Sequence, residues 1–349
     1  MSIRAFFQMW QAKYETRNKK PHGCIGCFTA GLCVLFLSPF LAIGGAALCC
    51  YYAVYIETNW VRVQRVVIDQ PELAAALSGI KIVQLSDIHT IDQIRELENK
   101  MVEITNVLEP DIILITGDFI TKRTGFKPAM EVISRLKAKI GIFGILGNCD
   151  TFVGNNQWKQ EGKAAGMTML IDERTSINLA DGKRLQLLGL NDGHGSNVPY
   201  IRRLMKGIKK DDAVILLDHD PSNIEQDSLF DIDLVLSGDT HGGQCGVRWI
   251  RQFYGWKSKY LAGLYRLKDT YLYVNRGLGW HHKPVRFLCW PEVTLITFVS
   301  GAPSTRVREP EPEEEELTGI HKFISNIWHK IDTSRISQVV RQGDKGNDD

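Results

Sequence analysis

No Asp, Glu, Lys, Arg or His occurs anywhere in residues 24–56 of this 349-residue chain. Net charge is also close to absent, at +2. A near-neutral balance excludes a reading as a nucleic-acid binder on global charge, so basic residues matter only locally. Paired cysteines are scarce in the body of the chain. Of eight cysteines, Cys24, Cys27, Cys33, Cys49 and Cys50 lie in or beside the uncharged stretch. Only Cys149, Cys245 and Cys289 remain, an odd number without CxxC spacing, which excludes a disulfide framework or a zinc ribbon there. Free thiols in a reducing compartment are the simpler reading. A hydrophobic fraction of 44% with 23% charged residues excludes a disordered chain.

The uncharged stretch is long enough to enter a membrane, because a hydrocarbon core ~30 Å thick needs about 20 apolar helical residues. The alternative is a buried core helix, but such helices are rarely so long and so free of charge. A cleaved signal peptide would have a shorter apolar region that begins earlier. Lys13, Arg17, Lys19 and Lys20 precede the stretch, and Arg62 and Arg65 follow further off, which places the N-terminus in the cytoplasm. Two topologies satisfy this. A single span puts the main domain on the far side; a hairpin turning near Pro39 or Gly44–Gly45 returns it to the cytoplasm.

Three segments follow from composition: a basic N-terminus and membrane anchor over 1–57, a folded body over 58–300, and a tail over 301–349. In the body, apolar strands at 81–86, 111–116 and 141–146 alternate with helical patterns at 92–108 and 127–137. Further strands are expected at 213–217 and 234–237, with hairpins through 271–275 and 293–299. This α/β rhythm predicts sheets covered by helices, with ligands at the carboxyl ends of strands. The tail opens on the acidic, proline-containing run EPEPEEEE. Beyond it Leu317, Ile320, Ile324, Ile327, Trp328 and Ile331 recur at helical spacing among Lys322, Lys330 and Arg335. That basic amphipathic helix either lies in a membrane surface or docks on the body.

Five strand ends carry the chemistry: Asp87-Ile88-His89, Gly117-Asp118, Gly147-Asn148-Cys149-Asp150, His219, and Gly238-Asp239-Thr240-His241. One alone is chance. Together they are poor strand formers that each terminate an apolar strand, in the mixture of carboxylate, imidazole and amide that a hydrolytic two-metal centre needs. The order resembles the calcineurin-like metallophosphoesterases, whose motifs are DxH, GD, GNH(D/E), a separate His and GHxH. The resemblance covers most of residues 80–300. GDTHGGQ (238–244), GLYRLKDTYLYVNRGLG (263–279) and RFLCWPEVTLITF (286–298) extend it to that family's membrane-associated branch.

The resemblance implies a four-layer αββα sandwich and two divalent ions. It assigns Asp87, His89 and His241 to the first ion, Asp118 as the bridge, and Asn148, His219 and Asp239 to the second. Asn148, Asp118 and His241 are then also the expected catalytic groups. Two departures matter. Asp239 stands where the family usually has histidine, which hardens the site towards Mn²⁺. Cys149 stands where the family places the histidine that protonates the leaving group. General acid catalysis is typically worth about 10²–10⁴-fold, so an alkyl phosphate should suffer. A diphosphate should not, since its leaving group is itself a phosphate. His194, His281 or His282 could instead supply the proton.

A membrane anchor, together with Trp249, Trp256, Trp280 and Trp290 among Arg248, Arg251, Lys257, Lys259, Lys283 and Arg286, points to a lipid substrate. Within the family, the chain resembles the bacterial enzymes that hydrolyse UDP-2,3-diacylglucosamine in lipid A biosynthesis. That implies a nucleotide-lipid diphosphate substrate, contact with membrane lipids, no nucleic acid and no obligate protein partner. It also implies a bacterial inner-membrane location with the catalytic domain facing the cytoplasm. Lys122 and Arg123, just after Gly117-Asp118, and the histidines His194 and His281 are the candidate substrate contacts. Two other readings stand beside it: another membrane phosphodiesterase or phosphatase of the same branch, and a non-catalytic scaffold that has kept the fold.

Overall fold

The computed structural model describes residues 41–179, 182–194, 196–247, 258–280, 283–301 and 305–308. The expected tail helix and acidic linker, Pro39, and the basic tryptophan-bearing segment 248–257 lie outside the described residues. The chain divides into two units, Met1–Tyr52 and Ala53–Asp349. Leu41–Asn59 is a helix of 19 residues, long and apolar enough to cross a membrane by length and composition. The chain is helical through Gly44 and Gly45, so no turn occurs there. A glycine costs a helix only about 1 kcal/mol relative to alanine.

Among the described residues, the second unit is built on two six-stranded sheets. One has the order β1 (Arg62–Asp69), β12 (Glu292–Val299), β2 (Ile82–Leu85), β3 (Ile112–Ile115), β4 (Gly141–Gly144), β5 (Met167–Met169). The other runs β10 (Gly263–Leu267), β11 (Thr270–Val274), β9 (Leu234–Ser237), β8 (Ala213–Leu217), β7 (Arg184–Gly189), β6 (Glu173–Asn178). The central strands IILI and AVILL are apolar throughout, and LVLS as far as Leu236, because both of their faces are covered.

Side-chain alternation builds the layers. Ile112 and Leu114 of β3 join Ala213, Ile215 and Leu217 of β8 in a core between the sheets. Ile113 and Ile115 face outward onto Met101 and Val102 of α2 (Glu96–Val107), Met130 and Ile133 of α3 (Phe126–Ser134), and Trp158 of α4 (Asn155–Ala164). Val214 and Leu216 face the opposite way, onto Ile201 and Leu204 of α5 (Val198–Met205) and Ile224 of α6 (Ile224–Asp227). A seven-residue helix, α1 (Pro71–Leu77), closes the seam between the sheets with Leu73 and Leu77. Helix, sheet, sheet and helix are thus the four layers that the resemblance implied.

Two expectations need correction. The strand at 293–299 is not half of a hairpin. It is β12, parallel to β1 and antiparallel to β2, a pairing with chain-distant partners that local patterning does not encode. The helix expected from residue 92 begins at Glu96. The Arg95 amide donates to Glu98 Oε2 at 2.9 Å, and the Arg95 guanidinium reaches back to the carbonyls of Ile88 and His89, which fixes the start.

Candidate metal centre

All five motifs sit at carboxyl ends of strands, where the two sheets meet. The loops after β2 and β3 are tied side by side: the Asp87 and His89 amides donate to the carbonyls of Gly117 and Asp118, each at 3.0 Å. The loops after β8 and β9 are tied by the Gly238 amide on the His219 carbonyl at 3.0 Å. Each loop turns so sharply that Asp87, His89, Asp118, Asp239 and His241 all have φ between 49° and 63°. The left-handed region costs a non-glycine residue of the order of 1 kcal/mol or more and collects at functional sites. Glycines make the remaining room. Gly117 has φ +95°, and a Cβ on Gly147 would stand 2.3 Å from Asp118 Oδ1.

The ligand atoms converge. His89 Nε2 and His241 Nε2 face each other at 3.1 Å. Two donors about 2.1 Å from one ion at right angles are separated by about 3.0 Å, so this is the spacing of a shared cation. Asp87 Oδ1 is 3.4 Å from His241 Nε2, completing one set. Asp118 straddles both sets, with Oδ2 3.4 Å from His89 Nε2 and Oδ1 3.6 Å from His219 Nε2. Asp239 Oδ1 lies 3.7 Å from His219 Nε2. His219 is held from behind, because its Nδ1–H donates to the Thr116 carbonyl at 2.6 Å. That bond fixes the tautomer and turns the Nε2 lone pair to the site, as metal-ligating histidines require. Asp87 Oδ2 and His219 Nε2 are buried without a hydrogen-bond partner. Orphaned buried acceptors beside one another fit a divalent cation.

Electrostatics says the same. Burial pushes Asp87 up to about 7 and Asp239 up to about 6. Burial also works to raise Asp118, but the charges of His219 and His89 hold it well below the usual carboxylate range. His219 is itself raised well above the usual imidazole range, since Asp118, Asp87 and Asp239 outweigh its burial. Without an ion the site draws in positive charge by protonating its own ligands.

The other expected residues divide. Half-buried Cys149 lies in the turn after β4, and its amide donates to Asp118 Oδ1 at 2.9 Å. Its thiol groups with His89 and Asp118 as a third possible set of donors, and burial, reinforced by Asp118, raises it so that it stays a thiol. Asn148, the preceding residue, is exposed on the same turn. Arg123 donates to the Phe152 carbonyl at 3.3 Å, beside that turn, and Lys122 is exposed next to it. His194 is engaged elsewhere, 2.8 Å from Asp172 Oδ1 and stacked on Tyr200. His281 and His282 lie outside the described residues.

Sequence reasoning missed the supports. Buried Asp150 accepts the amides of Gly147 and Ile120, holding the Asn148–Cys149 turn to the Asp118 loop. Buried Gln84 donates to Thr116 Oγ1 at 3.1 Å and to the Ser237 carbonyl at 3.0 Å, crossing from one sheet to the other. Arg286, expected on the basic surface that meets headgroups, is instead fully buried and donates to the carbonyls of Gly279, Cys289 and Arg276. Gln84 carries no motif, while Asp150, in GNCD, and Arg286, opening RFLCWPEVTLITF, had a signal to follow. A cleft of about 1170 Å³ lined by Gln70, Lys209, Asp212, Arg266 and Tyr271 lies at the opposite strand ends and contains no ligand candidate.

Comparison with known proteins agrees with the geometry. Residues 80–243 match the family model described as calcineurin-like phosphoesterase. The metallophosphoesterase YkuE of Bacillus subtilis is 33% identical over 71% of this chain and 89% of its own. A transmembrane protein with metallophosphoesterase domain from Danio rerio is 29% identical over 70% of this chain and 59% of its own. Among solved structures, the NAD nucleotidase of Haemophilus influenzae covers 72% of this chain and 55% of its own at 16% identity and a TM-score of 0.37.

Proposed function

Since the chain belongs to the calcineurin-like phosphoesterase family, we propose that it is a membrane-anchored hydrolase of a nucleotide-lipid diphosphate, UDP-2,3-diacylglucosamine, releasing UMP and 2,3-diacylglucosamine 1-phosphate. The observation that carries the choice of a diphosphate is the thiol of Cys149 beside His89 and Asp118, where the family keeps its leaving-group histidine. In the reaction one P–O bond forms to a water oxygen and the bridging P–O bond breaks. The bridging electrons depart on a phosphate that is stable without a proton at neutral pH, so a weak acid at position 149 suffices.

Asp87, His89 and His241 would hold one ion, Asp118 both, and Asn148, His219 and Asp239 the second; the oxygen-rich set favours Mn²⁺. When bound, two such ions supply Lewis acidity and a water deprotonated near neutral pH. The chain does the rest. Thr116 keeps His219 in the tautomer that presents Nε2. The Cys149 amide holds Asp118 across the two sets. The exposed Asn148 carboxamide, on the rim, has the donors to steady charge growing on a phosphoryl oxygen, and Lys122 and Arg123 beside that turn suit the distal phosphate. The apolar helix Leu41–Asn59 and the transmembrane relative from Danio rerio support membrane association. A cytoplasmic-facing site on a bacterial inner membrane is where such a substrate would be met.

The test is UMP release from UDP-2,3-diacylglucosamine by the detergent-purified chain with Mn²⁺, beside an Asp118→Ala control. Metal-dependent release that the control lacks supports reaction and substrate. Cleavage of a generic phosphodiester without UMP release would retain the metal centre and refute the substrate.

A further inference from the structure

The end of the apolar helix is bolted to the metal centre. Within the second unit, the Ala53 carbonyl accepts the Arg286 amide at 3.0 Å. Glu57 is fully buried, and its carboxylate accepts the amides of Leu288, at 2.9 Å, and of Cys289. A buried carboxylate is stable only with such charge-assisted bonds, so helix end and loop form one piece. From the same loop the Cys289 thiol donates to the His241 carbonyl at 3.3 Å. The Arg286 guanidinium grips the Gly279 carbonyl, while the Gly279 amide donates to the Asp87 carbonyl at 2.7 Å. Two candidate ligands of the first ion therefore rest on a loop that the helix end holds.

The outer face of this piece carries exposed apolar and aromatic side chains. Leu288 is 49% exposed and has φ +55°, a strained backbone that presents a leucine to the outside. Trp60 is 47% exposed, and Tyr55 and Ile56 are exposed beside it in sequence. The Arg62 guanidinium lies between two indoles, 4.6 Å from the Trp60 ring centroid and 3.8 Å from that of Trp290. Indole, phenol and guanidinium groups at the end of an apolar helix are the composition of a membrane interface, where amphipathic rings and arginines meet headgroups.

We propose that the face formed by Tyr55, Ile56, Trp60, Leu288 and the Arg62–Trp290 stack is seated in the lipid headgroup layer, so that the metal centre is held at the bilayer surface in a fixed orientation. The occupant is lipid because the face continues directly into a helix of membrane-crossing length and apolarity. The proposal rests on reading that helix as a span, and does not depend on which phosphate is hydrolysed.

The test uses the full chain reconstituted in vesicles of phosphatidylethanolamine and phosphatidylglycerol, with p-benzoylphenylalanine placed singly at Leu288, Trp60, Val107 or Leu229. Val107 and Leu229 are apolar positions still more open than these, 76% and 63% exposed, on other elements. After irradiation, mass spectrometry of the intact chain reads lipid adducts. The expected result is adduct at 288 and 60 several-fold above that at 107 and 229. A second reading needs no altered Leu288: quenching of tryptophan fluorescence by acyl-brominated lipid, reduced in Trp60→Phe. If the protein floats with the vesicles but all four positions label equally, or 288 and 60 stay unlabelled, the face is refuted and the anchor stands. If it does not float, the anchor reading and the face fall together.

Discussion

The two ends of the strands are built from the same residue types and finished in opposite ways. At the amino ends three carboxylates, Asp212, Asp111 and Asp233, have protein partners. Asp212 takes Arg184 through both oxygens as well as Gln186. Asp111 takes the Lys81 amide and Lys139, and Asp233 takes the Val214 amide and Gln70. At the carboxyl ends, Asp87 Oδ2 and His219 Nε2 are left without hydrogen bonds, and five ligand candidates carry positive φ. Those three carboxylates serve the fold. At the other end the ligand candidates are under-satisfied and strained, which is the condition of groups awaiting a cation.

The sharpest way to break this contrast is Asp118→Ala. It removes the group that spans both ligand sets, and hydrolysis should fall at least ~10³-fold, with loss of metal in elemental analysis. Next is chelation. Saturating the wild type with Mn²⁺ at about 1,000 times its Kd should stabilise it by roughly 4 kcal/mol over the chelated protein, read as a rise in melting temperature absent in Asp118→Ala. Gly147→Ala should behave like a ligand mutant, because its Cβ would collide with Asp118 Oδ1; bound metal should drop without unfolding the sheets. Cys149→His restores the family's acid and should raise turnover of an alkyl phosphodiester by about 10²-fold while changing UMP release little. At the other end, Arg184→Ala should cost only about 1 kcal/mol of stability in urea unfolding, and leave metal content and turnover intact.

How much of this was legible in the sequence follows the same division. Asp87, His89, Asp118, His219, Asp239 and His241 announce themselves, because polar residues that end apolar strands have no structural excuse. The central strands were legible from their unbroken apolar runs. Two things were not. The place of β12 between β1 and β2 depends on partners far away in the chain, and a strand's own pattern does not name its neighbour. Single buried polar residues such as Gln84 and Glu57 do their work through backbone carbonyls and amides, which every residue possesses, so no motif marks them.

Gln84 has a mechanical consequence. Candidate ligands arrive from both sheets: Asp87, His89 and Asp118 from one, His219, Asp239 and His241 from the other. Two stacked sheets touching only through aliphatic side chains could slide by a fraction of an ångström at small cost. The Gln84 carboxamide, fastened to Thr116 on one side and Ser237 on the other, acts as a strut across that gap. Together with the Asn275–Thr294 and Tyr273–Glu292 bonds and the Asp239 amide on Asp87 Oδ1, it holds the gauge between the two candidate ligand sets, although its amide touches neither.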